Sequence, residues 1–175
     1  FVIDADGGGL KSLGPGARPD WSPDDKQIAF DDGNVVFVQN LDGQGRSQIT
    51  SGSSGVWSPD GSQMAVVEDE MLHVVDMVTG ERRAGFKERF ALLYDGCCWS
   101  PDGRHIALVG HRSDGPRREL LIVSPQGEEQ GLQARLQTNG GMSGRVTYSP
   151  DGKRVAYSAA YMILTLELAG GARPR

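Results

Sequence analysis

The histidines and cysteines are the residues of this chain best suited to catalysis or metal binding, and their spacing favours neither. The 175-residue sequence has three histidines, at positions 73, 105 and 111, and two adjacent cysteines, Cys97 and Cys98. It contains no Gly-x-Ser-x-Gly turn of a hydrolase, no His-Glu-x-x-His pair and no glycine-rich phosphate loop ending in Lys and Ser or Thr. The sequence therefore predicts that this chain is not an enzyme.

Acidic residues give no stronger indication of a metal site. The segments Asp4-x-Asp6-Gly7 and Asn40-x-Asp42-Gly43 resemble the start of a calcium loop, but the later ligands and the bidentate Glu do not follow. These carboxylates are expected to cap turns, and the sequence predicts no metal ion and no cofactor. Neighbouring residues of a strand point to opposite faces, so Cys97 and Cys98 are expected to be buried thiols; a strained vicinal disulfide or a thiol site is the alternative.

The composition of the chain disfavours two kinds of interaction, nucleic-acid binding and membrane insertion. The formal net charge of −5 disfavours a surface that follows nucleic-acid phosphates. The chain has no apolar run of the roughly 18 residues that a membrane helix needs, so no direct membrane insertion is expected. With 38% hydrophobic and 23% charged residues, 25 Gly and 9 Pro, it has the composition of a folded domain with many tight turns.

The strongest signal in the sequence is a pentapeptide that occurs four times. Its aromatic residues are 36, 42 and 49 residues apart, close to the length of a four-stranded propeller blade. The copies are Trp21-Ser22-Pro23-Asp24-Asp25, Trp57-Ser58-Pro59-Asp60-Gly61, Trp99-Ser100-Pro101-Asp102-Gly103 and Tyr148-Ser149-Pro150-Asp151-Gly152. Pro presets the first corner of a hairpin turn, and Gly takes a left-handed position, which Asp25 also tolerates.

Each turn precedes similar strand patterns. One residue after each turn, a four-residue run places an Ala between two larger apolar residues, as in Gln27-Ile28-Ala29-Phe30. This pattern predicts a central strand buried on both faces. A third, apolar strand follows, as in Val35–Val38. A fourth is more polar and is best seen at Ser47–Thr50 and Leu10–Leu13, as expected of an edge strand.

Four features follow one another in this repeat: an apolar strand, an Asp-x-Asp-Gly turn (Asp4 to Gly7), a short strand ending in Ile49-Thr50, and the Trp-Ser-Pro-Asp-Gly turn. This order resembles the TolB-type, WD-like β-propeller repeat. The resemblance covers essentially the whole chain. It implies an all-β protein with one propeller domain, residues 1–175, built of four-stranded antiparallel blades. The expected blades are 1–13 (partial), 20–50, 56–90, 97–137 and 146–168 (partial).

About four blades are fewer than the six to eight that such rings usually have. We therefore expect this chain to form part of a six- to eight-bladed propeller, completed by further blades or by a neighbouring chain; a small four-bladed closure is the alternative. Residues 1–13 are candidates for the missing fourth strand of the last blade. The repeated Trp21, Trp57, Trp99 and Tyr148 are expected at blade interfaces, and Asp24, Asp60, Asp102 and Asp151 in the turns.

In a propeller blade, the connection between strands two and three and the connection to the next blade emerge opposite the tight turns. Variable loops on a rigid scaffold commonly carry function, so we expect any binding site there. An acidic arc beside a basic one would orient a polar partner, with ordinary solvated loop charge as the alternative. An apolar segment near residue 90 would bind a partner or close the channel mouth, with burial as a strand of the second blade as the alternative. The candidate residues are Asp31, Asp32, Glu68, Asp69, Glu70, Phe90, Tyr94, His111, Arg112, Arg117 and Arg118.

The expected function is a non-enzymatic scaffold that recognises another protein or a peptide. The resemblance to the TolB-type repeat implies a bacterial protein in the periplasm or another extracytoplasmic compartment. An accessory propeller of a larger enzyme, such as the gating domain of a prolyl-oligopeptidase-type peptidase or the sensor domain of a receptor kinase, is the alternative. Binding of a carbohydrate or small ligand in the channel is a third hypothesis.

Overall fold

A computed structural model describes residues 1–84, 90–112, 118–127, 129–136, 145–159 and 162–168; for 90–96, 111, 112, 118, 129–136, 159 and 162 it describes the backbone only. These residues form fifteen β-strands. The strands are β1 (Ala17–Trp21), β2 (Gln27–Asp31), β3 (Val35–Asn40), β4 (Ser47–Ser51), β5 (Ser53–Trp57), β6 (Gln63–Glu68), β7 (Met71–Asp76), β8 (Arg82–Ala84), β9 (Phe90–Trp99), β10 (Ile106–Arg112), β11 (Arg118–Val123), β12 (Glu129–Leu136), β13 (Val146–Tyr148), β14 (Arg154–Ala159) and β15 (Met162–Glu167).

The strands form four antiparallel sheets in which chain neighbours pair in order. Blade 1 is β1–β4, blade 2 is β5–β8, blade 3 is β9–β12 and blade 4 is β13–β15. The first strands of successive blades contact one another, which places them at the inner edge of the arrangement. The predicted second and third strands are confirmed, since Ala29 of β2 pairs with Val38 of β3.

The repeated turn is held by two hydrogen bonds that recur in every blade. In blade 2, the Ser58 hydroxyl donates to Asp60 Oδ1 at 2.6 Å, and Ser58 Oγ accepts the Gln63 N–H at 2.9 Å. The corresponding serine-to-aspartate distances are 2.7 Å at Ser22 and 2.6 Å at both Ser100 and Ser149. The expected left-handed position is confirmed, with φ of 58° at Asp25 and 74° at Gly61.

The core lies between blades. Ala29 and Val36 of blade 1 pack with Trp57 and Met64 of blade 2. Equivalent clusters join blade 2 to blade 3 and blade 3 to blade 4. Trp57 and Trp99 are buried at these interfaces and Tyr148 packs against the third, as predicted.

Three sequence expectations are corrected by the described residues. Leu10–Leu13 form no strand there; a single antiparallel bridge joins Val2 to Lys11. Residues 1–13 do not pair with blade 4, which has three strands. Trp21 does not fill a blade interface as Trp57 does: its side chain is 48% exposed, because no complete blade precedes it in the described structure.

Candidate functional site

The four Ser-Pro-Asp turns pack along one side of the molecule, which we call the turn face. A methyl group at Gly61 would lie 3.7 Å from Cδ of Pro23 in the preceding blade, and one at Gly103 would lie 3.8 Å from Cδ of Pro59. The opposite side, the loop face, holds the β2–β3 and β6–β7 connections and the links between blades. The predicted acidic residues belong to the loop face.

Asp31 fastens blade 1 to blade 2 on the loop face. Its buried carboxylate accepts the Arg18 Nε–H at 2.9 Å and forms an ion pair with the same guanidinium. It also accepts the Ser54 N–H at 2.9 Å and the Gly33 N–H at 2.8 Å. The expectation that Asp31 lies in an accessible loop is therefore wrong, since it is the last residue of β2 and its side chain is buried among these donors.

A second set of polar contacts joins the same two blades. Arg82 of β8 forms an ion pair with Glu68 and donates to Ser51 Oγ of blade 1 at 3.0 Å. The bond from Arg82 holds the pKa of Glu68 below its usual range. Glu68 is therefore engaged by Arg82, and Arg82 in turn reaches blade 1. His73 lies near this pair, and burial lowers the pKa of its imidazole.

Asp69 and Glu70 form an exposed acidic tip on the loop face. They are the two central residues of the β6–β7 hairpin, and both have positive φ, 49° and 63°. This is the geometry of a type I′ turn, which usually employs Asn-Gly because other residues pay about 1–2 kcal/mol for a left-handed conformation. The matching connection in blade 1 places Gly33 at φ of 100°.

Asp32 is the third predicted acidic residue that is exposed on the described part of this face. Its Oδ1 accepts the N–H groups of Asn34 at 3.1 Å and Val35 at 3.0 Å, and these bonds lower the pKa of the carboxyl. Asp32 thus shapes its own loop while keeping its charge in solvent. Asp32 and the acidic tip are the predicted acidic residues that the structure leaves accessible.

The other predicted site residues are placed by backbone alone. Phe90 and Tyr94 lie in β9, the first strand of blade 3. They belong neither to a loop between blades nor to a strand of blade 2, the two placements that the sequence suggested. His111 and Arg112 end β10, and Arg118 begins β11, where His111 pairs with Arg118. Arg117 lies outside the described residues. The predicted basic arc therefore remains a prediction.

An open cleft of about 730 Å³ runs along the inner edge of the blades. The first strands of all four blades line it, together with residues of β14 and β15. Its wall includes Pro19, Val56, Val146 and Tyr157, and it also contains Arg18, Asp20 and Arg145. The Asp20 carboxylate accepts the Trp57 backbone N–H through Oδ2 at 2.8 Å. Burial raises the pKa of Asp20, and the Trp57 N–H lowers it in part.

The two cysteines point to opposite faces of β9, as the sequence predicts. Cys97 packs in the core between blades 2 and 3, and Cys98 packs against the core between blades 3 and 4. Both are free thiols, and burial raises the pKa of each to about 12. Neither is a reactive thiolate at neutral pH.

Sequence reasoning missed the residues that organise the loop face and the cleft. Arg18 and Ser54 occupy equivalent positions three residues before the repeated Trp, and both have positive φ, 49° and 55°. Each lies at a register shift in the first strand of its blade. The repeat could have revealed the equivalence of these positions, but neither residue type signals a left-handed conformation. Asp20 gave no signal because its counterpart in blade 2 is Val56.

Within the described ranges, no group of three or more His, Cys, Asp or Glu side chains could hold a metal ion. The same part of the chain contains no helix long and apolar enough to span a membrane.

Comparisons with known proteins bear on the fold. No protein-family model matches the sequence, and no curated protein matches it significantly. Among solved structures, TolB from Acinetobacter baumannii is similar with a TM-score of 0.70 and 22% identity, covering 97% of this chain and 46% of that one. A protein described as TolB from Agrobacterium tumefaciens has a TM-score of 0.65 and 22% identity, covering 88% and 59%.

Oligogalacturonate lyase from Vibrio parahaemolyticus is a third similar structure, with a TM-score of 0.63 and 18% identity, covering 84% of this chain and 48% of that one. The chain thus spans about half the length of the structures it matches. With its four stacked antiparallel sheets, it is an all-β, TolB-like partial β-propeller.

Proposed function

We propose that this propeller is a non-enzymatic scaffold that recognises another protein or a peptide through the loop face. The observation that carries the proposal is the acidic tip, where Asp69 and Glu70 hold a strained turn with both side chains in solvent. Such strain commonly persists where it serves function. A tight turn with Gly would be less strained, yet it would present fewer carboxylates.

The chemistry of the tip defines the partner. With Asp32, the acidic tip gives the loop face of blades 1 and 2 three exposed carboxylates. A surface of one sign raises the association rate of a partner of the opposite sign. The partner is therefore a protein or peptide with a basic contact surface. Nucleic acid is not a proposed partner, because the chain carries a net charge of −5.

Affinity capture with chemical crosslinking, in extracts of the source cells, tests the proposal. The wild type is compared with the double variant Asp69→Gly/Glu70→Gly, and with Asp42→Gly/Asp6→Asn as a control of equal charge on other turns. We expect the tip variant to lose at least about fivefold of a specific captured protein, equivalent to roughly 1 kcal/mol. It should be no less stable than the wild type, because Gly relieves the left-handed strain. Equal capture by the tip variant and the wild type would remove the loop face of blade 2 from the site.

The compartment is part of the same proposal. We propose a bacterial extracytoplasmic location, in the periplasm, on the basis of the TolB-like fold. Fractionation by osmotic shock of the source cells tests it directly. Recovery of the protein with cytoplasmic markers would contradict it.

A second candidate is an accessory propeller of a larger enzyme. It is favoured by the coverage of about half of each matched structure, one of which is an oligogalacturonate lyase. The denatured intact mass of the natural polypeptide separates the candidates. A mass near 18.8 kDa favours the scaffold, and a mass at least about twice as large that includes a catalytic domain favours the accessory propeller.

A further inference from the structure

Asp20 is the carboxylate of the inner cleft that has no cationic partner among the described residues. Its Oδ2 accepts the Trp57 N–H. Its negative charge contributes, after burial, to the raised pKa of the Cys97 thiol, which lines the same cleft. A desolvated carboxylate with one hydrogen bond is stabilised by a cation that approaches its other oxygen. Among the described residues, Asp20 thus forms no ion pair that would compensate its charge.

The residues that line the cleft around Asp20 indicate which kind of cation would fit there. Pro19, Val56 and Val146 give the cleft an apolar lining close to the inner strands. Lysine and arginine bury their methylenes against apolar surface and place their charge at a polar end. An apolar wall with one carboxylate fits such a side chain better than it fits a small inorganic cation.

Two arginines, which carry positive charge, also line the cleft. Arg18 is paired with the buried Asp31, so its charge is compensated inside the interblade contact. Arg145 is exposed, where water and salt screen its charge. Asp20 is therefore the charged group of the cleft that is best placed to attract a cation.

We propose that the inner cleft binds a lysine or arginine side chain of the partner, with its cationic head on the Asp20 carboxylate and its methylenes along Pro19 and Val56. This inference rests on the proposed function, since it names the part of a protein or peptide that enters the cleft. It assigns Asp20 as the residue that selects a basic side chain.

Two matched peptides test the proposal, acetyl-Gly-Ser-Lys-Ser-Gly-amide and the same peptide with norleucine in place of lysine. Binding to the protein is followed by NMR titration. We expect the lysine peptide to bind the wild type about tenfold more tightly than it binds Asp20→Asn. The norleucine peptide should bind both equally. Asn keeps an oxygen for the Trp57 N–H, and Asp42→Asn serves as the control for net charge.

A second variant keeps the test decisive if Asp20→Asn does not fold. Thr147→Lys places a cation of the chain itself in the cleft from an exposed position on β13, and it should weaken lysine-peptide binding by a similar factor. The pKa of Asp20, followed by its carboxyl resonance, should fall on addition of the lysine peptide only. Equal binding of the lysine peptide to the wild type and to the variant that folds would overturn the assignment. That result would leave the capture of a partner through Asp69 and Glu70 unaffected. Conversely, equal capture by the tip variant and the wild type would contradict the proposed function without changing the peptide titration.

Discussion

A single position of the repeated turn shows how closely residue type follows backbone geometry. Three copies of the motif have Gly at the left-handed position, with φ between 69° and 74°, and the first has Asp25 at 58°. The sequence predicts this exception, because Asp is among the residues that tolerate the left-handed region. Tolerance has an energetic cost, which a substitution can measure.

Asp25→Gly should raise the free energy of unfolding by up to about 1 kcal/mol. Relief of left-handed strain contributes roughly 1–2 kcal/mol, and the greater freedom of Gly in the unfolded chain offsets roughly half of it. Urea denaturation measures the change. Gly61→Ala is the matched reverse variant, and it should lower the free energy of unfolding by about 1 kcal/mol because Ala is strained in the left-handed conformation. Its new methyl group would meet only ordinary contacts, so no steric clash adds to this loss. A less stable Asp25→Gly protein would show that the Asp25 side chain contributes more than the strain costs.

At the scale of the element, the four hairpin turns act as equivalent electrostatic units. In each, the serine hydroxyl donates to the aspartate, and this bond is the main reason why the pKa values of Asp24, Asp60, Asp102 and Asp151 are lowered from 3.8. The carboxylates therefore bind protons more weakly in the folded state than in the unfolded state. Their contribution to stability is complete above the unfolded pKa and is lost as the pH falls through the folded values.

The free energy of unfolding should consequently fall as the pH is lowered from about 5 to about 2. Denaturation at a series of pH values measures the slope. Asp60→Asn should flatten it by removing one titrating group, and Ser58→Ala should flatten it by removing the donor. An unchanged slope in both variants would show that the Ser58–Asp60 bond does not couple folding to protonation.

At the scale of the whole molecule, the position of a blade in the arc decides how deeply its repeated residues are buried. Val36 and Leu72 precede a packed blade and are 0% and 2% exposed, whereas Ile163, at the equivalent position of blade 4, is 82% exposed. Trp57 and Trp99 follow a packed blade and are 9% and 7% exposed, whereas Trp21 is 48% exposed. The two ends of the arc are thus complementary halves of the interface that joins its blades.

Matched tryptophan variants measure this difference. Trp57→Ala should lower the free energy of unfolding by about 3–5 kcal/mol, because it empties a packed interface. Trp21→Ala should cost less than about 2 kcal/mol, because about half of the side chain is already in water. Unfolding midpoints in urea measure both. Equal losses would mean that Trp21 is buried in solution by a further blade or another chain.

The sequence by itself determined the repeat, the turns and the central strands. Trp-Ser-Pro-Asp-Gly encodes its hairpin through Pro, Gly and the serine-to-aspartate bond, all of which act within a few residues. The alternation around Ala29 likewise fixes which face of β2 packs against blade 2. These features depend on local chemistry, so a single chain is enough to predict them.

Only the tertiary structure decided which charged residues are accessible. Asp31 and Asp32 are adjacent and chemically identical, yet Asp31 is buried against Arg18 and Ser54 while Asp32 remains in solvent. Glu68 is likewise engaged by Arg82, and Asp20 reaches the Trp57 N–H of the next blade. Each contact joins residues 13 to 37 positions apart. The bonds from Ser54 and Trp57 form only when blade 2 packs on blade 1, and the Arg18 and Arg82 ion pairs join separate strands of one blade. None of these contacts follows from a local sequence pattern.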